Sequence, residues 1–154
     1  MLLAKRLDTM SKLPSQTGYG LGGRFTRETS RCSSREDRVK IIDFSEERAE
    51  PIEQFQSACA SSVRLGDGHG EAHVYCVRFE PGGEIGQHPT GFGQLFLVVA
   101  GTGWVSGHDG ARVELAAGQG AYFPRGELHA KGSDMGMTAI MIQVRELEPA
   151  ANED

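Results

Sequence analysis

The sequence predicts an all-β protein, a sandwich or closed barrel built from short strands. Gly accounts for 21 of the 154 residues, while aromatic residues make up only 7%. Such a chain favours many tight turns over a helical bundle. From Ala72 onward, short runs of β-forming residues alternate with turn residues, and no helical period interrupts them. We therefore expect one all-β domain, because a single core usually serves roughly 100–200 residues.

The individual strands are predicted from β-forming runs and the turns between them. The first is expected at 39–44, followed by irregular turns that start at Ser45 and run through Phe55, because Pro51 interrupts any long helix. A second strand at 61–65 is closed by turn residues 66–68. Asp109 and Gly110 predict a hairpin. Further strands are expected at 72–79, 94–99, 103–106, 111–115, 121–123 and 138–144.

Residues 1–38 are predicted to be a disordered basic extension, and the domain is expected at 39–148. The extension shows no sustained hydrophobic period, so it cannot bury enough apolar area to offset the entropy of ordering. Residues 1–40 carry 9 Lys and Arg against 4 Asp and Glu. This composition leaves three interpretations open: an organelle transit peptide, a basic arm for an anionic partner, or an unstructured tail with Met10 as a rival start.

The composition of the remaining chain excludes several partners. Residues 41–154 carry 7 Lys and Arg against 17 Asp and Glu, so this acidic body will not attract nucleic acid by bulk charge. No apolar run approaches the roughly 18 residues that cross a bilayer, so no membrane partner is expected. The three cysteines lack Cys-x-x-Cys spacing, which favours free thiols and a cytoplasmic location.

Two strings of residues have specific spacing. The first string runs Gly82-x5-His88-x-Thr90-x3-Gln94-x6-Gly101, where x is any residue. The second string runs Gly118-x5-Pro124-x-Gly126-x2-His129. The chain thereby resembles the cupin superfamily, whose motifs run G-x5-H-x-H-x3,4-E-x6-G and G-x5-P-x-G-x2-H-x3-N. Every interval agrees, and the departures are Thr90 for His, Gln94 for Glu and Ser133 for Asn.

The resemblance implies a small single-domain cupin, a jelly-roll barrel or double-stranded β-helix, over roughly residues 60–145. In this family a metal lies inside the barrel, held by the residues that match His88, Thr90, Gln94 and His129. Imidazole and amide ligands suit a divalent transition metal such as Fe, Mn, Ni or Zn. Since a threonine hydroxyl is a poor neutral ligand, the predicted metal ligands are His88, Gln94 and His129.

Glu127 is the predicted catalytic residue. It lies two residues before His129, so it shares the inward face if the chain is extended there. Its carboxylate would serve as a general base or as a spare metal ligand. The alternative is that His88, Gln94 and His129 form a hydrogen-bonded polar pocket without metal.

The other candidate side chains carry less weight. We expect His73 to be a core or rim histidine, His69 and His108 to be solvated in turns, and Cys76 to be a buried structural thiol. Neither a nucleophile elbow nor a phosphate-binding loop is present.

Three functions follow from the resemblance, and the sequence leaves them open. The chain is a metal-dependent enzyme of the dioxygenase, isomerase, decarboxylase or lyase type on a small organic substrate, a non-catalytic module that binds a small molecule, or a structural protein. Small cupins are commonly homodimers, and the apolar row of Leu95, Leu97 and Val99 is compatible with sheet-to-sheet packing.

Overall fold

The computed structural model describes residues 39–150, and most of this part of the chain is β-structure. A single 3-10 turn lies at Glu46–Arg48. The strands are β1 (Lys40–Asp43), β2 (Glu50–Pro51), β3 (Ser61–Ser62), β4 (Gly66–Phe79), β5 (Gly83–Pro89), β6 (Gly93–Ser106), β7 (Arg112–Ala116), β8 (Gln119–Phe123), β9 (Leu128–Ser133) and β10 (Met137–Pro149). The predicted all-β class is confirmed. The expected extension at 1–38 lies outside the described residues.

Two antiparallel layers share one long strand. The first layer has the order β1-β8-β6-β10-β4, and in the second β5 pairs with β9, which pairs with β6, which pairs with β7. The short strands β2 and β3 pair only with each other. Within residues 39–150 there is no helix of the length and apolar character needed to cross a bilayer.

Strand β6 is continuous, whereas the sequence predicted two strands separated by a turn at residues 101–103. Gly101 bends the strand instead of ending it, with a φ of 77° that L side chains rarely adopt. A Cβ at this position would meet the carbonyl oxygen of Gly136. The glycine therefore permits a bend and a close approach within the strand, and β6 passes from one layer to the other.

The core lies between the two layers. Along β6, Phe96 and Val98 point inward and are fully buried, and Val105 does the same after the bend. They pack with Phe123 and Met141 in one cluster. Side chains alternate across a strand, so these strands give the barrel an apolar interior.

The opposite face of β6 is covered by the chain itself. Leu95 and Leu97 pack with Ile42 and Tyr122 in a second cluster, while Val99 is 47% exposed. The row that was compatible with a subunit contact is therefore largely buried within this chain.

Two smaller predictions were wrong. Residues 66–68 are not a turn but the beginning of β4, and the strand expected at 61–65 is reduced to Ser61–Ser62. Cys76 is exposed rather than buried, because its side chain alternates with the inward-facing Val77 and, among the described strands, only β10 pairs with β4.

Candidate functional site

The two motif histidines meet inside the barrel. His88 near the end of β5 is directly opposite His129 in β9, and their ring centroids lie 4.5 Å apart. His129 is fully buried, whereas His88 is half-buried. Because β5 and β9 are neighbouring antiparallel strands, the two motifs place their imidazoles side by side as expected.

Backbone carbonyls set the orientation of both rings. Nδ1 of His88 lies 2.7 Å from the carbonyl oxygen of Gly86, and Nδ1 of His129 lies 3.3 Å from that of Glu127. A carbonyl oxygen only accepts, so Nδ1–H is the donor in each ring. Each Nε2 therefore carries a free lone pair.

The Nε2 atom of His129 is buried and has no hydrogen-bond partner. Burial, then the charge of Lys131 and then that of His88, lower the pKa of His129 to about 3. The imidazole is therefore neutral at physiological pH. A neutral ring with an unused buried lone pair is the form that coordinates a metal.

Gln94 lies on the same interior face and is 1% exposed. Its Oε1 accepts a hydrogen bond of 3.2 Å from Nε2 of Gln143, a residue of β10 that the sequence analysis did not single out. Nε2 of Gln94 is buried without a partner. Gln94 pairs with Phe123 across β6 and β8, and the Phe123 ring lies 4.5 Å from that of His129.

Thr90 has a structural role in this arrangement. Its hydroxyl donates to the carbonyl oxygen of Pro124 at 2.6 Å, and its backbone N–H donates to the carbonyl oxygen of Glu127 at 3.0 Å. The Glu127 carbonyl thus serves both Thr90 and His129. Thr90 fastens the end of β5 to the loop before β9 and has no free donor for a ligand.

Glu127 faces a cavity of about 390 Å³ lined by Val39, Ile41, Val105 and Val113. Its Oε1 accepts from the backbone N–H of His108 at 3.2 Å and lies 3.5 Å from Nδ1 of the same residue. His108 is exposed, as expected, but its pairing with Glu127 was not foreseen.

The carboxylate of Glu127 is engaged by His108. Within residues 39–150 no three His, Cys, Asp or Glu side chains are close enough to hold an ion. The role of Glu127 as a spare metal ligand stays a prediction, and in this structure His108 engages its Oε1. Its role as a general base stays a prediction.

Lys131 is the interior residue that sequence reasoning missed. It is 1% exposed, and burial lowers its pKa to about 7. Lysine is ordinarily exposed, which is why it was passed over. The alternation His129-Ala130-Lys131 was the available signal, because it places Lys131 on the same face of β9 as His129.

The remaining candidates lie away from this cluster. His73 is half-buried and stacks on Phe92, with ring centroids 5.8 Å apart, while His69 is exposed. Trp104 is buried with the Arg112 guanidinium 3.8 Å from its ring centroid, so Trp104 has a packing role.

The donor set fits a divalent transition metal. Both imidazoles use Nδ1 toward a backbone carbonyl and leave Nε2 for a ligand, and an amide oxygen lies on the interior face that carries His129. Nitrogen donors with an oxygen suit such ions. All three donors are neutral, so the set leaves the ion's charge uncompensated.

Comparison with known proteins adds a family to this geometry. The family model described as "Cupin domain" matches residues 75–142. The chain is 38% identical over 71 residues to the (R)-mandelonitrile lyase of Granulicella tundricola, covering 45% of this chain and 54% of that protein. The chain thus spans about half the length of this curated relative.

Two solved structures are similar to part of this chain. An RmlC-like cupin from Shewanella frigidimarina is 26% identical, with 55% of this chain and 70% of that chain covered and a TM-score of 0.46. A sugar phosphate isomerase from a cupin superfamily of Silicibacter pomeroyi is also 26% identical, with 56% and 59% covered and a TM-score of 0.44.

Proposed function

Because this chain belongs to the cupin superfamily, we propose that it holds a divalent transition metal inside the barrel and acts on a small organic molecule. The ligands would be His88, Gln94 and His129. The observation that supports this most directly is the orientation of the two rings, each of which donates Nδ1–H to a backbone carbonyl. Metal-binding histidines are commonly held in this way, because it fixes the tautomer and directs Nε2 to the ion.

The chain's own residues would position the ligands and the substrate. A bound ion would act as a Lewis acid that polarises a substrate oxygen. Thr90 and the Glu127 carbonyl keep the His129 ring in place, and Gln143 keeps the amide of Gln94 in place. Phe123 packs against His129 and restricts the access of water to the Nε2 atom.

Glu127 is the proposed general base. Its side chain is only 12% exposed and faces the cavity of about 390 Å³. The backbone N–H of His108 holds the carboxylate in one position, and the His108 ring can exchange a proton with it. A molecule in this cavity would therefore meet an apolar wall together with the carboxylates of Glu127 and Asp109 and the His108 ring.

Similarity to a named relative favours one reaction class over the others. The curated relative is a lyase acting on (R)-mandelonitrile, so a lyase reaction on a small hydroxylated or carbonyl compound is the first to test. Isomerase, dioxygenase and decarboxylase reactions are the remaining classes that the resemblance implies.

A metal-free binding module is the second candidate, and one observation favours it. Lys131 places an amine in the same interior, and its charge adds to that of any ion bound by neutral ligands. A polar pocket that binds a small molecule directly would avoid this repulsion.

The test is elemental analysis of untagged protein that has not met a chelator. We expect about one equivalent of a transition metal, retained in His69→Ala and lost in His88→Ala and Gln94→Ala. His69 is exposed in β4 and serves as the matched control. Absence of metal, even after Fe(II), Mn(II), Ni(II) and Zn(II) are supplied in turn, would sink the metal proposal in favour of the binding module.

A second arm measures activity on racemic mandelonitrile by the absorbance of released benzaldehyde. Wild type and His69→Ala should release the aldehyde, and His88→Ala should not. Metal binding without aldehyde release would keep the metal site and remove this lyase reaction.

A further inference from the structure

An amine is buried inside the barrel without a charged partner among residues 39–150. Lys131 pairs with the fully buried Val105 across β9 and β6, so its side chain points into the interior. Nζ lies 5.0 Å from the ring centroid of Phe96 and 5.2 Å from that of Phe123. Its one hydrogen-bond acceptor in the described part of the chain is the Met141 sulfur, at 3.9 Å, and a thioether is a weak acceptor.

No described acidic side chain neutralises this amine. The ion pairs of residues 39–150 involve arginines and histidines, not Lys131. Glu127, which precedes Lys131 by four residues, directs its carboxylate at His108. A lysine is almost never fully buried unless it is paired. Lys131, which has no acidic partner among the described residues, is therefore an exception that a negatively charged ligand would remove.

A second buried donor without an acceptor among the described residues also faces the interior. Nε2 of Gln94 is buried and has no acceptor. Gln94 is the β6 partner of Phe123, and the Lys131 amine lies against the ring of that same Phe123. Two donors without good acceptors therefore share one aromatic neighbour, and a group with two acceptor oxygens would satisfy both.

We propose that the organic ligand of this barrel is a small carboxylate whose oxygens accept hydrogen bonds from Nζ of Lys131 and Nε2 of Gln94. The inference rests on the proposed function and names its substrate class. The negative charge of the carboxylate would also balance an ion held by three neutral ligands. Charged hydrogen bonds of this kind are stronger than neutral ones.

Calorimetric titration of the full chain with mandelate and with mandelamide tests the proposal, since the two probes differ mainly in charge. Chelator-treated protein is used, so that coordination of mandelate by a metal does not contribute. We expect mandelate to bind at least about tenfold more tightly than mandelamide, the effect of one hydrogen bond to a charged group. Lys131→Met should remove this preference, and Lys131→Arg should retain part of it.

Acetate and acetamide form a second pair, small enough to enter where a phenyl ring does not fit, and are followed by thermal melting. Absence of a charge preference in both pairs, or mandelate binding that survives Lys131→Met, would overturn the proposal. If Lys131→Met fails to fold, the presence or absence of a charge preference is still measured on the wild-type protein. If the protein binds metal but shows no Lys131-dependent preference for the carboxylates, only the carboxylate substrate class is rejected and the metal site stands. A Lys131-dependent preference in a protein that takes up no metal removes only the metal site.

Discussion

At the scale of single residues, the two motif histidines differ in how much the fold depends on them. His129 is fully buried and packs on Phe123, while His88 is half-buried and lies on a strand that pairs only with β9. The two ring centroids nevertheless lie only 4.5 Å apart. Metal retention and structural stability are therefore separable at this pair.

We expect His88→Ala and His129→Ala to abolish metal retention equally but to differ in stability. Removing the buried His129 ring leaves a cavity, at a cost of about 2–4 kcal/mol in the free energy of unfolding, and His88→Ala should cost about 1 kcal/mol or less. Urea denaturation of chelator-treated proteins measures both. Equal losses would mean that His88 contributes to the core as much as His129 does.

At the scale of elements, Thr90 connects the end of β5 with the loop that precedes β9. Its buried hydroxyl and its N–H donate to the carbonyl oxygens of Pro124 and Glu127. The Glu127 carbonyl also receives the Nδ1–H of His129. Thr90 is not a proposed ligand, but it helps to hold the proposed ligand His129 in position.

Thr90→Val keeps the shape of the side chain and deletes the hydroxyl. We expect the free energy of unfolding to fall by about 1–2 kcal/mol, because the Pro124 carbonyl oxygen loses its donor. Metal affinity should fall by about tenfold, the lower end of what loss of a ligand's support costs. Competition with a fluorescent chelator measures the affinity, and Ser61→Ala, in the separate β2–β3 pair, is the control. Unchanged affinity would show that Thr90 supports only the loop.

The bend of β6 at Gly101 is the second element with a testable requirement. Gly101→Ala would place a methyl group against the carbonyl oxygen of Gly136 in backbone that disfavours L residues. We expect the free energy of unfolding to fall by more than about 2 kcal/mol. Gly82→Ala is the matched control, because Gly82 also has positive φ but nothing lies within 4 Å of its added Cβ. If both variants lose the same stability in a thermal melt, the loss is due to the positive φ alone and not to contact of the methyl group with Gly136.

What the sequence could predict followed from local spacing and alternation. The family resemblance implied that His88 and His129 meet inside the barrel, although β5 and β9, which carry them, were not among the predicted strands. Alternation along β6 placed Gln94 and Phe96 on one face. The bend at Gly101 was mistaken for a turn, because glycine signals both and only the packing of Gly136 distinguishes them. The pairing of Glu127 with His108 joins two loops, and no local pattern reports it.

At the scale of the whole molecule, the association state stays a prediction based on the family resemblance. Leu95 and Leu97 are covered by Ile42 and Tyr122 of the same chain, so they supply no subunit surface. Exposed apolar side chains remain elsewhere, including Val74 on β4 at 66%. Light scattering on the purified chain will decide between monomer and dimer.

The shared strand β6 also has a consequence for folding. It pairs with β7, β8, β9 and β10, so neither layer is complete without it. Except for β7, which follows it directly, its partners are distant in sequence, and pairing of distant segments slows folding because loop closure comes before most of the stabilising contacts. We expect the barrel to fold slowly and in a single cooperative step, with amide hydrogens of β6 among the last to exchange with solvent.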